Sequence, residues 1–458
     1  MSSELRSSVA FASLLCLSLA GCAHRPIPGE SNPGSSSATR VAARSDTLAL
    51  PPGATRVPID YLDGIVLLPV TLSGMGGHDT TGTLVLDTGA GALALDASLA
   101  QRLGVTDSDS LAGAVNIAPR ALSAMRIGAR QIGPVAPLLT VDMRPVWSAV
   151  DRQPFGLLGQ SPLAHGALVL DVDARTLTLV PPADSSAFGA DPVAASRAWL
   201  GALVGARARP LPFRMGGDEK ILLTARLSAP RGHASAGADS LTLILDTGAT
   251  KCVLFEEALA SQLPALDAWP AMRGLSAPTL FGSAEARVVL LPEIALVSDS
   301  VSVARPQVDA LVIGGALPEA LQRAVGEPVH GLLGDSFLRH FRMTIDYEDH
   351  VLWLEPRTPS PNPRPYEYSQ PGIQLERSGT EVVVSGVVTG SPAARAGVAQ
   401  GDRVLAIDRL MAAEASVLDL ARALEGPPGS RVRLRLRRGD RERTLALPRR
   451  WLLPTERS

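Results

Sequence analysis

Leu84-Val85-Leu86-Asp87-Thr88-Gly89-Ala90 has a second copy further along the chain, Leu243-Ile244-Leu245-Asp246-Thr247-Gly248-Ala249. Each copy is an apolar run that reads as a buried strand and stops at a carboxylate, a hydroxyl and a glycine. A strand that delivers Asp into a buried Gly turn is an unusual thing to build once. Building it twice suggests two carboxylates that meet.

The flanking features recur in the same order. The first Asp turn precedes an amphipathic helical pattern over Asp96–Leu103, and the second precedes a similar one over Glu256–Leu263. Further on come Phe155-Gly156-Leu157-Leu158-Gly159-Gln160-Ser161-Pro162-Leu163 and His330-Gly331-Leu332-Leu333-Gly334-Asp335-Ser336-Phe337-Leu338. Each leads into an acid-bearing strand, Leu168–Asp173 and Met343–Tyr347. Residues 56–182 and 210–356 therefore read as an internal duplication with a longer second arm, joined through 183–209. Both arms read as mostly strand with one or two short helices.

At 458 residues the chain is too long for one core. It is 46% hydrophobic and 19% charged, which suits packed domains, and a formal net charge of -2 gives no reason to expect nucleic acid as a partner. The only lysines, Lys220 and Lys251, read as a matter of composition. Cys16 and Cys22 fall in an N-terminal targeting region, which leaves Cys252 alone and gives no disulfide framework. Its plain reading is a small buried residue beside the second Asp turn.

Residues 1–21 read as an export signal: Arg6, then an apolar run from Val9 to Ala20 that is well short of the roughly 20 residues needed to span a bilayer. The run ends in Leu19-Ala20-Gly21-Cys22, which resembles the lipobox of bacterial lipoproteins. That resemblance implies cleavage before Cys22 and a lipid anchor on its thiol and amino group. The expected place is the bacterial cell envelope, at the outer membrane and periplasm-facing with the face left open, and the alternative is ordinary cleavage after Ala20 or Ala23 with a soluble product. A Pro-, Gly- and Ser-rich tether covers 22–55. A second proline-dense stretch, 357–370, reads as a stiff spacer.

Two carboxylates a few ångströms apart cannot both ionise, so such a pair keeps one proton and titrates as a unit. That state can activate a water held between them, with no metal, thiol or other cofactor. The seven histidines have no ligand spacing, and no Gly-x-Ser-x-Gly elbow is present. The repeated apolar-apolar-Asp-Thr-Gly-Ala, each copy followed by Leu-Leu-Gly, resembles the aspartic proteases. The similarity is nearest to their retropepsin-like bacterial branch and spans roughly residues 56–356. The resemblance implies one β-barrel lobe per half, paired as a pseudodimer, with Asp87 and Asp246 as the catalytic dyad and polypeptides as substrates. It further implies that Thr88 and Thr247 lock the turns together while Gly89 and Gly248 permit the tight backbone. Ala90 and Ala249 stand where many acid-active relatives carry a hydroxyl. Losing that hydrogen bond favours the protonated dyad and points to mildly acidic or neutral working pH. The resemblance also implies a flap, for which 111–123 and 274–285 are the candidates.

Residues 371–450 resemble a PDZ domain of the bacterial, protease-associated kind, through Gly390-Ser391-Pro392-Ala393-Ala394-Arg395-Ala396-Gly397 and Gly401-Asp402-Arg403-Val404-Leu405-Ala406-Ile407-Asp408. Strands are expected over Glu381–Val388 and Arg403–Ile407, with a helix near Ser416–Glu425 capped by Ser416. Such domains take C-terminal peptide tails as an added strand. By that resemblance the loop ending in Gly372 and Ile373 would cradle the tail's carboxylate. The expected fold is mostly β, with two acid-protease lobes and an α+β PDZ domain. The expected function is an aspartic endopeptidase; the alternative is a non-catalytic envelope peptide-binding protein with a vestigial dyad.

Overall fold

The computed structural model describes residues 50–453 except 52, 108–114, 151, 183–191, 229–237, 261, 264–265, 280–281 and 359–363. The export signal, Cys22, most of the tether and part of each flap candidate lie outside the described residues.

The chain is mostly β. In the first half, the strand Asp79–Leu86 runs antiparallel to Ile65–Ser73, with Leu67 opposite Val85. Its other edge pairs in parallel with the short strand Gly156–Leu158. That short strand also pairs antiparallel with Leu93–Asp96, the strand that follows the Asp turn. The Leu-Leu segment is thus inserted between two strands that the Asp turn connects. The second half repeats the arrangement: Ala238–Leu245 pairs in parallel with Gly331–Leu333, which pairs antiparallel with Cys252–Phe255. Strands enclosed on every side must be apolar throughout, which accounts for the uninterrupted Leu, Val and Ile runs.

The glycine after each Leu-Leu is dictated by contact. A Cβ at Gly159 would lie 2.3 Å from the Ala92 carbonyl oxygen, and one at Gly334 would lie 2.1 Å from that of Lys251. Both oxygens belong to backbone that cannot step aside, so only glycine fits. The close approach brings the Asp87 N–H to the Leu158 carbonyl at 3.0 Å and the Asp246 N–H to the Leu333 carbonyl at 3.1 Å.

The halves are more intimately joined than two separate lobes would be. Ala167–Asp171 of the first half lies antiparallel to Phe341–Asp346 of the second, Leu168 opposite Ile345. They are the central strands of a six-stranded sheet drawn equally from both halves. One hydrophobic core runs through both, from Leu68 and Leu86 to Leu245 and Phe341.

The C-terminal unit has its own core, including Ile373, Val384, Leu420 and Leu434. Its strands Glu381–Val387 and Arg403–Ile407 and its helix Val417–Leu424 match the expected elements, and Ser416 accepts a hydrogen bond from the Asp419 N–H at 3.0 Å. Along Arg431–Arg438, Val432, Leu434 and Leu436 are buried while Arg431, Arg433 and Arg435 face solvent.

The proline-dense stretch is not a spacer along its whole length. Arg364, Glu367, Tyr368, Ser369 and Gln370 are all buried. Ser369–Gln370 pairs with Arg450–Trp451 at the other end of the unit. Arg364 forms ion pairs with Asp63 of the first half at 3.3 Å, with Glu367 at 3.0 Å and with Glu425 of the C-terminal unit. Lys251 of the second half binds Glu367 at 2.9 Å, the Tyr368 hydroxyl at 3.0 Å and Asp309. A buried charge needs partners of this kind, and here they tie three parts of the chain together.

Candidate active site

The two Asp turns meet at the boundary between the halves, where Asp87, Thr88, Asp246 and Thr247 are all buried. The threonines clasp one another reciprocally. The Thr88 hydroxyl donates to the Leu245 carbonyl at 3.0 Å and accepts from the Thr247 N–H at 3.0 Å. The Thr247 hydroxyl donates to the Leu86 carbonyl at 2.9 Å and accepts from the Thr88 N–H at 3.1 Å. Each hydroxyl thus fills both of its roles on the opposite half.

This clasp sets the carboxyls. Asp246 Oδ1 accepts the Gly248 N–H at 2.8 Å. Gly248 also makes room for the other acid, since a Cβ there would sit 2.7 Å from Asp87 Cγ. The Asp87 carboxyl interacts with the Asp246 carboxyl and with the Gly89 N–H. Burial, reinforced by the like charge of Asp246, pushes the Asp87 carboxyl well above the usual carboxylate range, against the pull of Lys220. Gly89, expected only to permit the turn, offers its carbonyl to the Lys220 ammonium.

The residue after each Leu-Leu-Gly donates its backbone N–H to the end of its turn, Gln160 to the Ala90 carbonyl at 2.9 Å and Asp335 to the Ala249 carbonyl at 2.8 Å. Gln160 donates to the Thr88 carbonyl at 3.0 Å and accepts from the Tyr347 hydroxyl at 2.5 Å. Asp335, its counterpart, accepts from the Tyr61 hydroxyl at 2.6 Å. Each tyrosine comes from the opposite half, so the cross-half tyrosine contact survives the Gln/Asp difference while the side-chain bond to the turn is shown for Gln160. Burial raises Asp335 to about 6 even with Arg339 and Tyr61 beside it. Cys252 is buried, its thiol pushed up to about 11, and plays the plain packing part its sequence position suggested. Among the described residues no three His, Cys, Asp or Glu side chains gather as a metal-ligand set.

No motif marks Lys220 or Tyr61, and Tyr347 enters the sequence reading only as the last residue of the second acid-bearing strand. The one signal for Lys220 was its rarity, one of two lysines in the chain.

At the C-terminal unit, Gly372 has a φ of +88°, and a side chain there would meet Ser391 Cβ at 2.4 Å. The Ile373 side chain belongs to the unit's core. Its strand, Ile373–Ser378, is the outer strand of the sheet. The helix Arg144–Val150 of the first half packs against both this strand and the helix Val417–Leu424. On the other side, Gln374 accepts from the Ser276 N–H at 3.1 Å and donates to the Ser276 carbonyl at 2.7 Å. Ser276 lies in a hairpin of the second half, formed by Ala271–Thr279 and Gly282–Val297, that contains the second flap candidate.

Residues 383–438 match the family model described as PDZ domain. The C-terminal unit is a PDZ domain. A stretch of 68 residues is 40% identical to carboxyl-terminal-processing peptidase 2, chloroplastic, of Arabidopsis thaliana, covering 15% of this chain and 13% of that one. Among solved structures, an aspartic proteinase from Irpex lacteus is similar at 14% identity over 68% of this chain and 99% of its own, with a TM-score of 0.40. The PDZ domain of a carboxy-terminal protease from Vibrio cholerae, in complex with peptide, is similar at 21% identity over 18% of this chain and 94% of its own, with a TM-score of 0.17. The chain thus spans only about an eighth of the curated relative's length.

Proposed function

We propose that the two halves form an aspartic endopeptidase and that the PDZ domain takes C-terminal peptide tails. The observation that carries this reading is the reciprocal threonine clasp, which joins two Asp turns in a buried setting where Asp87 is driven toward its protonated form. In the proposed reaction the charged carboxyl of the pair takes a proton from water while the protonated one donates to the substrate carbonyl oxygen. The water oxygen bonds to the carbonyl carbon, giving a tetrahedral diol. The carbon–nitrogen bond then breaks as a carboxyl proton passes to the leaving amine. The dyad's pH range is proposed to be mildly acidic to neutral because Ala90 and Ala249 supply no hydroxyl. A lipid anchor at Cys22 and a place in the cell envelope belong to the same proposal and rest on the Leu19–Cys22 resemblance.

Cleavage of a peptide library by wild type, Asp87→Asn and Asp246→Asn, from acid to neutral pH, tests it. Wild type should cleave and both variants should fail. No cleavage by wild type at any pH, or full activity in either variant, would sink the reading and leave a peptide-binding protein.

A further inference from the structure

Both halves present an Asp-Thr-Gly turn, and the glycine carbonyl of the first receives a buried ammonium from the opposite half. Lys220 opens the strand Ile221–Leu227 and is fully buried. Its ammonium donates across the boundary to the Gly89 carbonyl and lies 3.0 Å from Asp218 Oδ2. Strand register shows what occupies the matching place in the first half. Leu222 faces Ile244 as Leu67 faces Val85, so two residues back Lys220 corresponds to Ile65, a buried apolar side chain. At this register position the second half has a lysine where the first has an isoleucine.

The turn that carries it is shaped for the purpose. Asp218 and Glu219 both adopt positive φ, +56° and +57°, which costs about 1 kcal/mol or more at each non-glycine residue. Asp218 is pressed into the first Asp loop, where a Cβ at Gly91 would lie 2.4 Å from its Oδ1. The other charged or titratable groups in this neighbourhood are Asp87 and Asp246, then Tyr347, which feels Glu219. Arg323 and Glu319, on the helix behind the turn, pair with each other in solvent.

We infer that Lys220 is a positioning residue for the proposed dyad: a strut, seated on Asp218, that holds the first Asp turn through Gly89 and sets with its charge the pH range in which the pair keeps a single proton. The inference rests on the endopeptidase reading for its consequence in catalysis, though not for its consequence in titration. Its charge opposes protonation of Asp87, so removing it moves both limbs of the pH profile upward.

The test compares wild type, Lys220→Met and Lys220→Arg in the whole chain. Two readouts are taken: the pH dependence of kcat/KM, and the carboxyl titration of Asp87 by 13C NMR, assigned through Asp87→Asn. Lys220→Met should shift both upward by about one pH unit, while Lys220→Arg stays within a few tenths of wild type. If Lys220→Met melts early, Lys220→Met with Asp218→Asn removes cation and counter-ion together and should shift in the same direction by less. An Asp87 titration unchanged without the lysine, or moved as far by Arg as by Met, overturns the inference and leaves the dyad standing. A titration that moves in a protein that cleaves nothing upholds the strut and removes only the protease reading.

Discussion

Thr88→Ala offers the sharpest test of how the two halves are joined. The substitution deletes one hydroxyl and with it two cross-half hydrogen bonds, from the Thr247 N–H and to the Leu245 carbonyl. Both partners are buried backbone groups and would be left unpaired. A buried polar group left unsatisfied costs about 1–3 kcal/mol, so two should cost roughly 2–5 kcal/mol. Thr88→Ser keeps the hydroxyl, loses only a methyl, and should cost about 1 kcal/mol or less. Urea denaturation followed by tryptophan fluorescence and circular dichroism together would show whether the halves still unfold as one. Thr88→Ala should lower the midpoint, and Thr88→Ser should restore most of the loss. If Ala and Ser cost the same, or Ala costs under about 0.5 kcal/mol, the clasp is not what holds the turns together.

Other outcomes follow from the same geometry. Ala90→Ser with Ala249→Ser should shift the pH–rate profile toward acid, because a hydroxyl beside each turn favours the charged carboxylate; an unshifted profile removes the argument from the alanines. Asp87 holds its proton more tightly folded than unfolded, so its cost to stability is absent below about pH 4 and grows as pH rises toward the folded value. Asp87→Asn should therefore melt like wild type at pH 3.5 and above it at pH 7, and equal melting temperatures at pH 7 would contradict the raised carboxyl. Lys251→Met leaves Asp309 and Glu367 buried without their ammonium and should cost about 3–5 kcal/mol at pH 7. Asp309 is held below the usual carboxylate range, chiefly by Lys251 against its burial. That stability is present above about pH 4 and lost on acidification, so denaturation midpoints of wild type and variant should converge below pH 4.

What could be read in the residues was the local and repeated part of the fold. Leu84–Ala90, Leu243–Ala249 and the two Leu-Leu-Gly segments carry their structural reason in the chain itself: continuous apolar strands ended by residues that only a tight turn accepts. Ser391, Ser416 and Gly397 mark the PDZ helices for similar local reasons. The shared sheet was not legible, because nothing in Ala167–Asp171 indicates that Phe341–Asp346 is its neighbour. Lys220 and Lys251 read in the sequence only as composition, since a buried lysine is recognisable only from partners distant in sequence. The described end of the second proline-dense stretch, 364–370, hides its partners for the same reason. Arg364 and Glu367 pair with charges in both halves and in the PDZ domain, and the Tyr368 hydroxyl donates to Asp309.

On the proposed peptide-binding reading, the helix Arg144–Val150 would be a competitor for the PDZ domain built into its own chain. A peptide that adds to the outer edge of Ile373–Ser378 would have to make room beside a helix already packed against that strand and against Val417–Leu424. Its measured affinity is then the intrinsic one reduced by the fraction of molecules in which the helix has moved away. Because the helix also contributes Val146 to the core beneath the first Asp turn, a bound tail would be felt inside the first half. Faster hydrogen exchange in residues 144–150 on adding a peptide with a free carboxylate would register that displacement, and unchanged exchange at saturating peptide would show that edge and helix are occupied independently.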